Sequence, residues 1–199
     1  MAYQKPLLSL LLMMLAALAS APAWAQTGPV RVAYIPVTVR GDYQPLDAAT
    51  VNELMLECLR KEAPELEFVM LQVDLDSFDV EGEVERAVQT ARQNGAAMIA
   101  WGEVGFQRSA QTSRGDTFYR GRLKLLVTAI ADIQVASVES GERILSQPTI
   151  VTSSGQSNAF TEDGDPETEK RLASDCVRES AKAILEVVRQ RRTGSAAEH

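Results

Sequence analysis

From Leu123 to Val135 every second residue is apolar: Leu123, Leu125, Val127, Ala129, Ala131, Ile133 and Val135. Side chains alternate between the two faces of a strand but return about every 3.6 residues on a helix, so only an extended strand gathers this set on one side. Such a strand needs a layer packed on its apolar face and hydrogen-bonded partners on its edges. Glu139-Ser140-Gly141-Glu142 supplies a turn, and Ile144 to Thr152 returns as an antiparallel partner. Pro148 makes that return strand an edge, because proline brings no N–H to a ladder.

The chain before this hairpin alternates strands with helices. Val30 to Val39 (VRVAYIPVTV) is rich in β-branched residues and lies between Gly28-Pro29 and Gly41-Asp42, the pattern of a buried strand with Pro36 near its end. Asp47 can cap a helix whose apolar face is Val51, Leu54, Met55, Cys58 and Leu59, stopped by Pro64. Leu66 to Val73 is a second strand, and Val84, Ala87, Val88 and Ala91 mark a second helix ended by Asn94-Gly95. Ala96 to Val104 (AAMIAWGEV) is a third strand. After a polar linker, Leu172, Cys176, Val177, Ile184, Leu185 and Val188 form the buried stripe of a last helix. The order β-α-β-α-β-β-β-α predicts a single α/β domain with a mixed sheet. Its first three strands are parallel because helices join them, a C-terminal antiparallel hairpin follows, and the helices pack on the sheet.

Residues 1–25 have the layout of a secretion signal: Lys5, an apolar run from Leu7 to Leu15, and Ala23-Trp24-Ala25 as a small-x-small cleavage site. Cleavage before Gln26 leaves a domain over residues 26–192 and a flexible tail at 193–199. No cysteine near the site could carry a lipid, which places an unlipidated product in the periplasm. Cys58 and Cys176 are an even pair in a compartment where disulfides persist, yet both fall on apolar helical stripes, so a bridge and two buried free thiols both fit.

The chemistry of the side chains argues for binding rather than catalysis. The one histidine, His199, is the terminal residue, leaving serine and cysteine without an imidazole base and zinc without its usual nitrogen ligand. Asp74, Asp76, Asp79, Glu81, Glu83 and Glu85 invite a calcium reading, but Phe78 and Asp79 spoil the loop template where an oxygen ligand and a glycine belong. A solvated acidic loop favouring the following helix start accounts for them, and no metal or cofactor is expected. Net charge is −7, which disfavours nucleic acid as a partner. Against that balance Arg108, Arg114, Arg120, Arg122 and Lys124 form a basic stretch interleaved with Phe118 and Tyr119. It is either a partner-docking strip or the polar face of a strand. Gly102 reads as a bulge or a close backbone approach within its strand.

The opening strand Arg31-Val32-Ala33-Tyr34-Ile35-Pro36-Val37, the strand Gly95-Ala96-Ala97-Met98-Ile99-Ala100-Trp101-Gly102-Glu103-Val104, and the hairpin strand ending in Glu139-Ser140-Gly141-Glu142 resemble the domain shared by CsgG, LpoB and the N-terminal part of TolB. The resemblance covers the mature region. It implies a non-enzymatic accessory module that binds an envelope protein in an assembly or secretion process, with self-association open. Val37 departs from the family pattern, which often has an aromatic residue there. The chain also lacks a lipid-acceptor cysteine, a proline-rich arm, pore-forming hairpins and a propeller, so it resembles a free-standing periplasmic copy of the domain. The alternative is a secreted small-ligand-binding protein or a hydrolase using carboxylates in a cleft near the strand ends.

Overall fold

Helical crossovers make one half of the sheet parallel, and tight turns make the other half antiparallel. The computed structural model describes residues 29–71, 81–112, 123–157 and 165–195. The signal, its cleavage site and most of the acidic loop lie outside these residues. In chain order the elements are β1 (Val30–Tyr34), β2 (Thr38–Arg40), α1 (Ala48–Glu62), β3 (Leu66–Met70), α2 (Glu81–Gln93), β4 (Met98–Thr112), β5 (Leu123–Ser137), β6 (Arg143–Leu145), β7 (Thr149–Ser157) and α3 (Pro166–Ser195). They build a seven-stranded sheet in the order β3-β1-β4-β5-β6, with β2 beside β4 and β7 beside β5. β1 pairs in parallel with β3 and β4, and β5 is antiparallel to β4, β6 and β7. The predicted fold class is therefore the observed one.

Strand extents differ from the sequence reading: β3 ends at Met70, short of the expected Val73, and three other differences have clear causes. The strand expected over 30–39 is two, because Pro36 has no N–H and breaks the ladder between β1 and β2. Both pieces still lie along β4. The return strand expected over 144–152 is likewise split by Gln147-Pro148 into β6 and β7. β4 runs on to Thr112, eight residues past Val104, since β5 pairs with it throughout, from Met98↔Ser137 to Thr112↔Leu123. Tertiary pairing here overrides the polar composition of the strand's second half.

Strand alternation sends the core to both faces. Val32, Tyr34, Val104 and Phe106, with Leu125 to Val135 of β5, face α1 and α3, where Val51, Met55, Leu172, Cys176 and Val177 are buried. Each such aliphatic side chain removed from water contributes roughly 1.5–3 kcal/mol before entropy is counted. Ala33, Ile35, Ile99 and Trp101 face the other way, onto Ala87 and Ala91 of α2. Small residues on α2 let it lie close over the start of β4.

Local signals position these helices. Asp47 accepts the N–H of Thr50 at 2.7 Å and caps α1, and that bond holds its carboxyl below the usual range. Gly95, at φ +68°, follows α2 and donates to the Arg92 carbonyl at 3.0 Å, closing the helix as Asn94-Gly95 predicts. Gly102 is a close approach: a Cβ built there would overlap the Asp132 carbonyl oxygen and stand 2.8 Å from Ile133 Cα. No side chain fits between β4 and β5 at that point.

Candidate interaction surface

β4 continues beyond α2. With Val104 and Phe106 turned to the core, Glu103, Gly105, Gln107 and Ser109 belong to the opposite face. Register sets their neighbours across the sheet: Gly105, Ile130 and Ile150 form one row, and Gln107, Thr128 and Thr152 the next. Neither isoleucine joins the two buried clusters, and Ile150 is 65% exposed. The Thr128 and Thr152 hydroxyls are 2.8 Å apart, and Arg40 of β2 pairs with Glu103 at 2.7 Å. An apolar row flanked by hydroxyls and an ion pair has the mixed chemistry of a protein-binding surface.

The predicted basic strip divides. Arg108 has the same parity as Val104 and Phe106, so it lies on the core face, with its guanidinium 2.8 Å from Glu169 in the first turn of α3. The other Glu169 oxygen accepts the Tyr43 hydroxyl at 3.0 Å. Arg108 is thus committed to an internal cluster that ties β4, α3 and the segment before α1 together. Lys124 is exposed on β5, across from Gln111 and Gln156. Arg114, Phe118, Tyr119, Arg120 and Arg122 lie outside the described residues, in the connection between β4 and β5.

The cysteines are free and buried. The Cys176 thiol donates to the Val127 carbonyl at 3.2 Å, toward the sheet, while the Cys58 thiol donates to the Arg178 carbonyl at 3.4 Å, toward α3. They engage different partners, and no disulfide joins them in this structure. Burial pushes both thiols up from their ordinary value, the opposite of an activated nucleophile.

Asn52 is a polar residue that the sequence reading passed over. It sits on the buried stripe of α1 between Val51 and Met55. Its side-chain oxygen accepts the Val37 N–H at 2.8 Å and the Tyr34 hydroxyl at 2.7 Å. Its amide nitrogen donates to the Val37 and Ala48 carbonyls at 2.9 and 2.7 Å. The signal available was a lone amide within an apolar stripe, which must be satisfied when buried. Burial raises the Tyr34 hydroxyl well above the ordinary phenol range, and Tyr43 is raised by burial and by Glu169.

Two cavities bear on small-ligand binding. One, of about 30 Å³, is apolar and lies between the sheet and α1 and α3, lined among others by Tyr34, Met55, Leu59 and Ile184. The other is an open groove of about 690 Å³ beside Pro36, Glu53, Leu56, Glu57, Arg60 and Met70, at the C-terminal ends of β1 and β3. Among the described residues no three His, Cys, Asp or Glu side chains gather to hold a metal, and no helix is long and apolar enough to cross a membrane.

No family model matches the chain, and no curated protein is similar to it. Solved structures do superpose. The hypothetical protein CT253 from Chlamydia trachomatis is 12% identical with a TM-score of 0.49, covering 81% of this chain and 98% of its own. The C-terminal domain of LpoB from Salmonella enterica is 16% identical with a TM-score of 0.38, over 64% of this chain and 86% of that one. The PelC dodecamer from Paraburkholderia phytofirmans is 12% identical at 0.36, over 75% and 86%. At these identities and scores the likenesses carry no function across.

Proposed function

We propose that this chain is an exported, non-enzymatic accessory module of a cell-envelope assembly, released by cleavage before Gln26, that docks an envelope protein on its open sheet face and the adjoining β4–β5 connection. The observation that carries the reading is the row Gly105, Ile130 and Ile150, where a large apolar side chain stands 65% exposed on a face that α2 leaves uncovered. The resemblance of the opening strand, the Met98 to Val104 strand and the Glu139-Ser140-Gly141-Glu142 turn to the CsgG, LpoB and TolB N-terminal domain supports the same role. Arginines in the β4–β5 connection suit an acidic partner, since a planar guanidinium pairs with carboxylates, and Phe118 and Tyr119 beside them in sequence add the aromatic component enriched at protein interfaces.

The test is crosslinking in the periplasm followed by a binding measurement on the captured partner. Replacing Arg114, Arg120 and Arg122 together by Glu is expected to weaken association at least tenfold and to alter its salt dependence, with thermal unfolding unchanged. Equal affinity with an equal salt slope would remove the connection from the interface.

A second reading, capture of a small ligand, is favoured by the groove at the strand ends, where Glu53 and Glu57 stand one helical turn apart on α1 beside Arg60. A cationic metabolite that raised the unfolding temperature of the native chain but not of a Glu53→Gln, Glu57→Gln variant would select it.

A further inference from the structure

We propose that the chain dimerises through β7, two copies pairing their outer edges antiparallel about a two-fold axis to form one continuous sheet. Among the described residues β7 pairs only with β5, and no described strand lies along its other edge. Natural proteins blunt such edges with charge, proline, short length or a bulge. β7 has none of these. It is nine residues long, Thr149-Ile150-Val151-Thr152-Ser153-Ser154-Gly155-Gln156-Ser157, uncharged and free of proline, and it runs along β5 without a register shift. The other edge strands among the described residues are guarded: β2 has three residues and carries Arg40 in an ion pair with Glu103, β6 has three residues and a bulge opposite it, and β3 has five residues and carries Glu67 in an ion pair with Arg31.

Charge favours a second copy as the occupant. At a net charge of −7, two copies repel over most orientations, and an uncharged strand is where they approach at least cost. An antiparallel pair of identical strands is self-complementary, the requirement of a two-fold interface. Helix placement agrees. Neighbouring strands lie about 4.8 Å apart, and α3 packs on β5 and β7 alike. Across the axis the two α3 helices then come about 10 Å from each other, the spacing at which helices pack. The joined strands run roughly 30 Å.

Sedimentation velocity of the purified protein over a wide concentration range tests the proposal. Ser154 is exposed at the middle of the edge strand, so Ser154→Lys and Ser154→Glu leave the core untouched while setting like charges against each other across the axis. Each variant alone is expected to raise the dimer dissociation constant at least tenfold, and an equal mixture of the two to restore association. Hydrogen exchange at amides 149–157 should slow as concentration rises. A native chain that stays monomeric, a Ser154→Lys variant as dimeric as the parent, or an assembly larger than two copies would overturn the proposal. These readouts are masses and amide protection in the absence of any partner, so they succeed or fail independently of envelope-protein docking.

Discussion

Asn52 replaces, with one side-chain amide, the backbone partner that Pro36 denies the chain. By taking both the N–H and the C=O of Val37 it mimics a neighbouring strand just where β1 gives way to β2. It also fixes the Tyr34 hydroxyl, which would otherwise have only the Met55 sulfur, a weak acceptor 3.6 Å away, in an apolar core. Removing the amide leaves several buried polar groups unmet, each at roughly 1–3 kcal/mol. Asn52→Ala is therefore expected to lose about 3 kcal/mol or more in urea unfolding, whereas Asn52→Gln, with the same groups one methylene further out, should recover little. A loss under about 1 kcal/mol would mean that water takes the place of the amide and that the clamp is dispensable.

At the scale of elements, α3 is held to the sheet by its apolar stripe along most of its length and by Glu169 at its start. Glu169 joins Arg108 of β4 to Tyr43, with side-chain exposures of 25% for Arg108 and 13% for Glu169, so the pair is partly shielded from solvent. Glu169→Gln removes the charge that balances Arg108 while retaining a hydrogen-bonding group. It should cost about 1–2 kcal/mol, discounted for the exposure of Arg108, and should speed amide exchange in the first turns of α3 rather than throughout it. Uniform exchange along the helix would place its anchor in the apolar stripe alone. The sequence makes most elements legible because burial leaves periodic marks: Leu125 to Val135 in β5, Val51 to Leu59 in α1, Leu172 to Val188 in α3. What it obscures are features set by a partner element. The second half of β4 has a polar surface sequence and is a strand because β5 runs beside it. Arg108 belongs by parity with Val104 and Phe106, and once β4 is known to continue, the same alternation assigns it to the core side. Proximity in sequence to Arg114 and Arg120 hides that assignment.

The whole molecule carries an alkaline limit to its stability. Tyr34 and Tyr43, with ordinary values of 10.0, and Cys58 and Cys176, with ordinary values of 9.0, are all raised, chiefly by burial. Each is neutral in the fold, and the unfolded chain releases these protons at lower pH than the native one does. Their contribution is full below the thiol range and declines as pH rises through and beyond 9.0 and 10.0. The urea midpoint should be level from about pH 7 to pH 8.5 and then fall, with Tyr34 phenolate absorbance appearing together with unfolding. Phenolate formation in a chain that remains folded would show that Tyr34 reaches solvent without disrupting the core. The topology also orders events in time. β1 precedes both of its neighbours but lies between β3 and β4, so as synthesis proceeds from the N-terminus one edge of β1 can pair once residues 66–70 emerge, while the other waits for residues 98–100. β4 and β5, joined locally, can zip together at once. The nascent chain therefore keeps one edge of an apolar strand open until β4 arrives, which makes that edge a natural target for a holding chaperone.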